Sequence, residues 1–468
     1  MRPSAIHFLH DLFSDREYLH LLVKFSIPIA LQNLLTACLN LVAGVMIGQL
    51  GERSVAAVGQ ANQLLFLLNL LVFGVVSGAA MFLSQLWGKQ DISNIRRVLG
   101  LTIKLSLLAS LIFWVLGTFF SKPVLGVYSN DLEVIAIGSE YLRIACWGYL
   151  FLSITAVYGV ALRSIGNVRL PLVVSTTALA FNLLLAYPLI FGWQAFHIAP
   201  MGVNGAAIAS VIARAMESLA MLVLVYWNRS NPLAAGIKDI FSIEWNFIKA
   251  TLKPVLPVIA NEALWSFGIT AYFAIYGHIG NGTDAVAAIN IVGTIDQLAF
   301  VLFIGIGAAT GIIVGHAIGR GELEKAYRYA GRSLIIQVAG AMMMGVLIYL
   351  FAENIFRFYK VDTRVIDQAG KILTVMSLGM WIRAANHVLI IGILRSGGDT
   401  RFSLFLDGFV IWLVGVPLAA AGAFLLGLPV QFVYALTFSE EIVKMIIGTW
   451  RYLSRKWIHN LTAHVSGV

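Results

Sequence analysis

Residues 24–51 read KFSIPIALQNLLTACLNLVAGVMIGQLG, and residues 253–280 read KPVLPVIANEALWSFGITAYFAIYGHIG. Lys24 to Pro28 lines up with Lys253 to Pro257, and Gly48-Gln-Leu-Gly51 with Gly277-His-Ile-Gly280, both at an offset of 229 residues. Between these marks each stretch is a continuous apolar run, long enough to cross roughly 30 Å of hydrocarbon as a helix. The pair therefore fixes two features of the fold at once: membrane-spanning helices, and a chain built as a duplication.

The duplication extends beyond this pair. Ala56-Ala57 matches Ala287-Ala288, Gly74 matches Gly305, and Gly88-Lys89 matches Gly319-Arg320. Further on, Leu162-Arg-Ser164 with Gly166-Asn167 matches Leu394-Arg-Ser396 with Gly398-Asp399. The drift in offset is only a few residues across five spans, which chance recurrence of Gly and Ala does not produce. An even number of spans in each half makes the repeat parallel, an arrangement that places a substrate cavity between the halves and works by rocking one against the other.

The rest of the chain fits this frame. Of its 468 residues 59% are hydrophobic and 12% charged, against about 25% charged in a soluble domain. Cutting at charged and Gly/Pro-rich breaks leaves about twelve apolar stretches of about 20 to 30 residues. None shows the alternation of a membrane-spanning strand. The expected fold is an all-α membrane protein of twelve transmembrane helices in two six-helix lobes. The lobes cover residues 1–230 and 251–468, with a cytoplasmic linker at 231–250.

The net charge of +9 follows topology rather than nucleic-acid binding. Arg96, Arg97, Arg163, Arg169, Arg395 and Arg401 all fall on the side that also holds both termini, which the positive-inside rule makes cytoplasmic. The first 24 residues, with Asp11, Asp15, Arg16 and Glu17, predict an amphipathic interfacial lead-in rather than a cleavable signal. Cys38 and Cys146 both lie in apolar spans and indicate neither a disulfide nor a thiolate metal site. No GxxxxGK[ST] run supplies an ATP engine.

With the repeat in place, four features resemble the multidrug and toxic compound extrusion (MATE) family. They are the Pro28 span closing on MIGQLG (Met46–Gly51), AAVG (Ala56–Gly59), ALRSIGN (Ala161–Asn167), and the second-half counterparts GHIG (Gly277–Gly280) and ILRSGGDT (Ile393–Thr400). The resemblance covers essentially the whole chain. It implies a V-shaped two-lobe fold with a central cavity, and export of bulky, often cationic compounds driven by inward Na⁺ or H⁺. It also implies acidic residues at three positions that are Ala43, Ala186 and Ala384 here; Asn182 keeps one family position.

Ionisable groups at membrane depth each cost at least about 2.5–3.5 kcal/mol and so ask for a partner or a function. Glu262 lies about 13 Å into the seventh span, and Asp296 about 17 Å into the eighth. Two such carboxylates on consecutive helices can share a proton or offer hard oxygens to Na⁺, which makes them the expected ion-coupling pair. Glu440 and Glu441 with Lys444 have the spacing of an internally neutralised structural or gating set; Arg214 and Glu217 read the same way. Arg163 and Arg395 are expected to cap the cytoplasmic ends of the fourth and tenth spans. Asn33, Asn182, Trp265 and Asp407 are candidates for the cavity wall, the tryptophan through cation–π contact with flat cations.

The expected function is a Na⁺- or H⁺-coupled antiporter of organic cations, drugs or toxic metabolites. It acts in a bacterial or archaeal inner membrane, as a monomer amid lipid, without cofactor or nucleic-acid partner. Two rivals are a lipid-linked oligosaccharide flippase of the same superfamily, and a multipass membrane transferase. The short loops carry no clustered polar set for the latter.

Overall fold

The computed structural model describes residues 15–194, 197, 199–236, 239–240, 244–280, 282–357 and 362–463. Most of the expected lead-in lies outside the described residues, and from Arg16 the chain is already helical. The first half of the sequence forms α1 (Arg16–Gly48), α2 (Glu52–Lys89), α3 (Ile92–Phe119), short α4 (Ser121–Gly126), α5 (Leu132–Ala145), α6 (Trp147–Ser164), α7 (Arg169–Phe191) and α8 (Gly202–Trp227). The second half forms α9 (Trp245–Tyr276), α10 (Gly282–Gly319), α11 (Leu323–Phe356), α12 (Thr363–Arg395), α13 (Thr400–Leu425) and α14 (Val430–Leu453).

Among the described residues, ten helices are long and apolar enough to cross a membrane; α5 and α6, bent by 48° at Cys146, make an eleventh. Hydropathy alone predicts twelve. The difference is α14, which is 24 residues long but carries Glu440, Glu441 and Lys444 through its centre. The protein is thus an all-α, multi-span membrane protein in which one helix is set apart by its charge. α2 and α10 have 38 residues each, about 57 Å at 1.5 Å per residue. Both outreach the hydrocarbon layer.

The helix starts follow from local chemistry. Asp91 caps α3 by accepting from the Asn94 N–H at 3.2 Å. Asp131 accepts from the Glu133 N–H at 2.9 Å at the start of α5. Asp362 does the same for Arg364 at 2.8 Å before α12. Each satisfies an N–H that the first helical turn leaves without an intrahelical partner.

Two compact units form. One runs from Leu31 to Leu252, and the other from Lys253 onward together with the described residues up to Ala30. The membership of α1 changes two residues after Pro28, which the repeat does not signal. At its N-terminal end α1 is tied to α11. The Tyr18 hydroxyl and the Ser333 Oγ are 2.8 Å apart, the Tyr18 ring lies 4.9 Å from that of Tyr329, Arg332 pairs with Asp15, and Lys325 with Glu17 at 3.2 Å. Burial raises the Asp15 carboxyl, but the Tyr18 N–H and the Arg332 guanidinium outweigh it and hold the group below the ordinary carboxylate range.

In the Leu31–Leu252 unit, α2, α3, α5, α6 and α8 pack around one another, and α7 lies along α8. Water drives no association between helices in lipid, so close backbone approach through small residues does the work. Gly205 at the start of α8 shows how close. A Cβ there would stand 2.3 Å from the carbonyl oxygen of Leu189 on α7. Backbone cannot give way as a side chain does, so Gly205→Ala is expected to destabilise by about 1–3 kcal/mol. A lowered unfolding midpoint of the purified protein measures it.

Candidate functional site

The charged residues at membrane depth in the second half of the sequence gather on α9, α10, α12, α13 and α14, all within the unit from Lys253 onward. Glu262 on α9 does not meet Asp296. Its Oε1 lies 2.6 Å from Nη2 of Arg395, both side chains being buried. Arg395 therefore forms an ion pair with the opposite helix in addition to ending its own; the expectation of a helix cap alone is corrected. Asp296 on α10 accepts from Nη1 of Arg383 at 2.8 Å, leaving its Oδ1 buried without a partner. Arg383 also lies over the Phe300 ring, 5.3 Å from its centroid.

Lys444 is the hub of the next group. Its Nζ is 3.0 Å from Oδ1 of Asp407 and 3.5 Å from Oε1 of Glu440. Asn261 donates to the other Asp407 oxygen at 2.9 Å. Asp407 thus has two protein partners at membrane depth. It takes the shorter share of the lysine, so Lys444 cannot neutralise Glu440 and Glu441 as a self-contained set. Glu441 turns to α12, where the Asn386 amide donates to its Oε2 at 2.6 Å and to its own carbonyl at 2.7 Å. That amide is uncharged.

His387 follows Asn386. The Gln337 amide nitrogen donates to the Ala384 carbonyl at 2.8 Å and reaches Nδ1 of His387 at 3.4 Å. The network therefore sets five carboxylates (Glu262, Asp296, Asp407, Glu440 and Glu441) against three permanent cations (Arg383, Arg395 and Lys444). With every carboxylate ionised it carries two uncompensated negative charges.

The turn after α12 is held from outside by the segment that follows α14. Trp457, fully buried, stands where a Cβ on Gly397 would meet its ring at 2.4 Å. The His459 N–H donates to the Gly397 carbonyl at 2.7 Å, and Leu461 covers Gly398. Arg451 grips Asp399 at 2.6 Å. This is the physical reason for two consecutive glycines in the Arg395–Thr400 turn: a side chain at 397 would evict the tryptophan, and Gly398 adopts φ +84° against Leu461.

The first half lacks the acids. Arg163 of α6, the repeat counterpart of Arg395, donates to the Gln32 side chain of α1 at 3.2 Å. The partner of Arg163 is thus an amide and that of Arg395 a carboxylate, and at the 229-residue offset Gln32 corresponds to Asn261 and Asn33 to Glu262. Asn33 lies on α1 beside Gln32, and Asn182 on α7 has its Oδ1 buried without a partner. Arg214 and Glu217 make no direct ion-pair contact among the described residues; Glu217 is bonded by Ser175 and also feels the Arg214 charge. Trp265 on α9 is 38% exposed, and its neighbour carbonyl on Leu264 accepts from the Trp412 indole at 3.0 Å.

Sequence reasoning missed Arg383, Asn386, Asn261 and Tyr272. Arg383 carried a signal: a cation midway along an apolar span, three residues before an asparagine on the same face. Among the described residues, no three His, Cys, Asp or Glu side chains converge as a metal site.

Comparison with known proteins agrees with this architecture. The chain matches the MatE family twice, over residues 28–188 and 257–421; the two starts are 229 residues apart, the offset of the internal repeat. It is 23% identical over 439 residues to a protein of Thermotoga maritima described as "Probable multidrug resistance protein NorM", covering 93% of this chain and 92% of that one. It is 25% identical over 399 residues to "Probable multidrug resistance protein YoeA" of Bacillus subtilis, covering 84% and 85%. Its fold superposes on a crystal structure of a mutant of the Vibrio cholerae MATE transporter VcmN with a TM-score of 0.84. That match has 18% identity over 95% of this chain and 98% of the other.

Proposed function

Because the chain belongs to the MatE family of membrane transporters, we propose that it is a cation-coupled antiporter exporting organic cations, drugs or toxic metabolites across the inner membrane. The observation that carries the proposal is the charge balance of the buried network: five carboxylates, three cations. Two uncompensated charges at membrane depth cost several kcal/mol on insertion scales, so the network favours any state in which positive charge is delivered to it. Two different cations that relieve the same deficit compete, and competition is what antiport requires. Each can shift the transport equilibrium only by favouring one conformation over the other.

Glu262 and Asp296 are the proposed coupling carboxylates, acting by exchange. A proton on either removes the attraction that holds Arg395 or Arg383 and frees the arginine to move. A proton suits these sites better than Na⁺. The ion would have to share each carboxylate with a guanidinium already at 2.6 or 2.8 Å, against like-charge repulsion.

Proteoliposomes loaded with ethidium and given separate H⁺ or Na⁺ gradients test this reading. The H⁺ gradient is expected to drive efflux by the wild type, and Glu262→Gln and Asp296→Asn each to lower it by at least about tenfold. Wild-type rates in both variants would remove these residues from coupling, and efflux unmoved by either gradient would remove coupling itself.

A further inference from the structure

We propose that Glu440 and Glu441 of α14 form a proton-loading site, holding the two protons that bring the buried network to neutrality. The inference rests on the proposed antiport and goes further, by separating Glu262 and Asp296, which stay ionised against their arginines until a proton is exchanged during transport, from the acids that hold protons in the resting network.

The separation follows from the partners. Glu262 and Asp296 each have their own guanidinium, and Asp407 has the closer share of Lys444 together with the Asn261 amide. Three cations are thereby committed to three acids. The remaining two acids are adjacent in sequence on α14, which among the described residues is too charged to count as an apolar span.

Glu440 is 97% buried by residue. Its Oε2 faces the Tyr272 hydroxyl of α9, which is likewise buried and is its hydrogen-bonding neighbour. The two meet over Gly415 of α13. A Cβ there would lie 1.8 Å from the Tyr272 hydroxyl and 2.6 Å from Glu440 Oε2. The glycine keeps open the space that the two polar groups share. While Glu440 is ionised the Tyr272 hydroxyl donates to it; a proton bound to Oε2 cancels the charge and makes the carboxylic acid the donor toward the Tyr272 oxygen.

The other charges facing this pair come from every surrounding helix. Tyr272 and Tyr276 approach from α9, Arg383 and Asn386 from α12, Asp407 from α13, and Tyr434 and Lys444 from α14 itself, while Asp296 of α10 stands behind Arg383. Arg383, already bound to Asp296, also feels Glu441. Loading Glu441 leaves Arg383 to Asp296 alone, and loading Glu440 leaves Lys444 to Asp407 alone. The two protons therefore sharpen a network of shared partners into separate pairs.

Infrared difference spectra of the purified protein, recorded as the buffer steps from alkaline to mildly acid, read buried carboxyl protonation directly. A deuterium-sensitive carboxylic C=O band is expected in the wild type. Glu440→Gln should remove about half of it, since one of two acids is lost, and Glu440→Gln with Glu441→Gln should remove all of it. Glu262→Gln and Asp296→Asn should leave it in place. The substitutions are isosteric, and a monodisperse size-exclusion profile checks folding. If either variant does not fold, Tyr272→Phe serves instead, by shifting the frequency of the Glu440 component through loss of its hydrogen-bond partner.

A band retained in the double variant, lost in Glu262→Gln or Asp296→Asn, unshifted in Tyr272→Phe, or absent from the wild type overturns the site. A band that behaves as expected in a protein whose efflux ignores both gradients leaves the site standing and overturns the antiport.

Discussion

Lys444→Met is expected to destabilise the protein by about 3–5 kcal/mol, the cost of leaving buried charge without its partner. The lysine is 1% exposed at its side chain and is the one ammonium shared by Asp407 and Glu440. Methionine nearly conserves the volume, so packing contributes little to the loss and electrostatics most of it. The signature is rescue. Adding Asp407→Asn and Glu440→Gln to Lys444→Met removes the stranded charges and should restore most of the unfolding midpoint. A triple variant no more stable than Lys444→Met would show that the lysine matters for shape, not charge.

Trp457→Ala should cost a similar amount, about 3–5 kcal/mol, for a different reason. The indole is fully buried between the Arg395–Thr400 turn and the end of α14. Its N–H donates to the Tyr452 carbonyl at 3.1 Å, and its ring lies 6.2 Å from that of Tyr452 at 27°. Removing it opens a cavity against Gly397 that no longer side chain is placed to fill. Trp457→Phe keeps most of the apolar volume and loses only the donor, so it should lie much closer to wild type. Thermal unfolding of the three proteins orders them; equal midpoints for alanine and phenylalanine would contradict the packing argument.

Much of the architecture was legible in the sequence because a bilayer imposes simple rules. Apolar length marks a span, and a repeat in the glycines and prolines that shape spans marks a duplication. The same rules fail where charge enters. α14 reads as a span by length, yet in the folded protein its Glu440 and Lys444 are among the most buried polar groups. Mid-span position singled out Glu262, Asp296, Asp407 and the α14 charges, because an ionised group in hydrocarbon needs an explanation.

What position could not supply was partnership. Spacing along one helix suggested that Lys444 serves Glu440 and Glu441, whereas the shortest contact runs to Asp407 on the neighbouring helix, 37 positions away. Likewise Arg395 looks like a helix terminus in sequence, and only the approach of α9 in space gives it Glu262. Contacts across helices leave no periodic trace in a single sequence.

The winding of α12 bears on the same arginine. Residues Val388–Arg395 form π-helical turns, which close i to i+5 and take about 4.4 residues per turn in place of 3.6. In a uniform α-helix, position 395 would fall about 120° around the axis from position 383; with the wider turns the two come within about 25° of one another. Both guanidiniums thereby address carboxylates from one side of a single helix. Rewinding that stretch would swing Arg395 through about 0.4 of a turn and carry it off Glu262. Torsion of the helix and possession of that carboxylate are therefore a single degree of freedom.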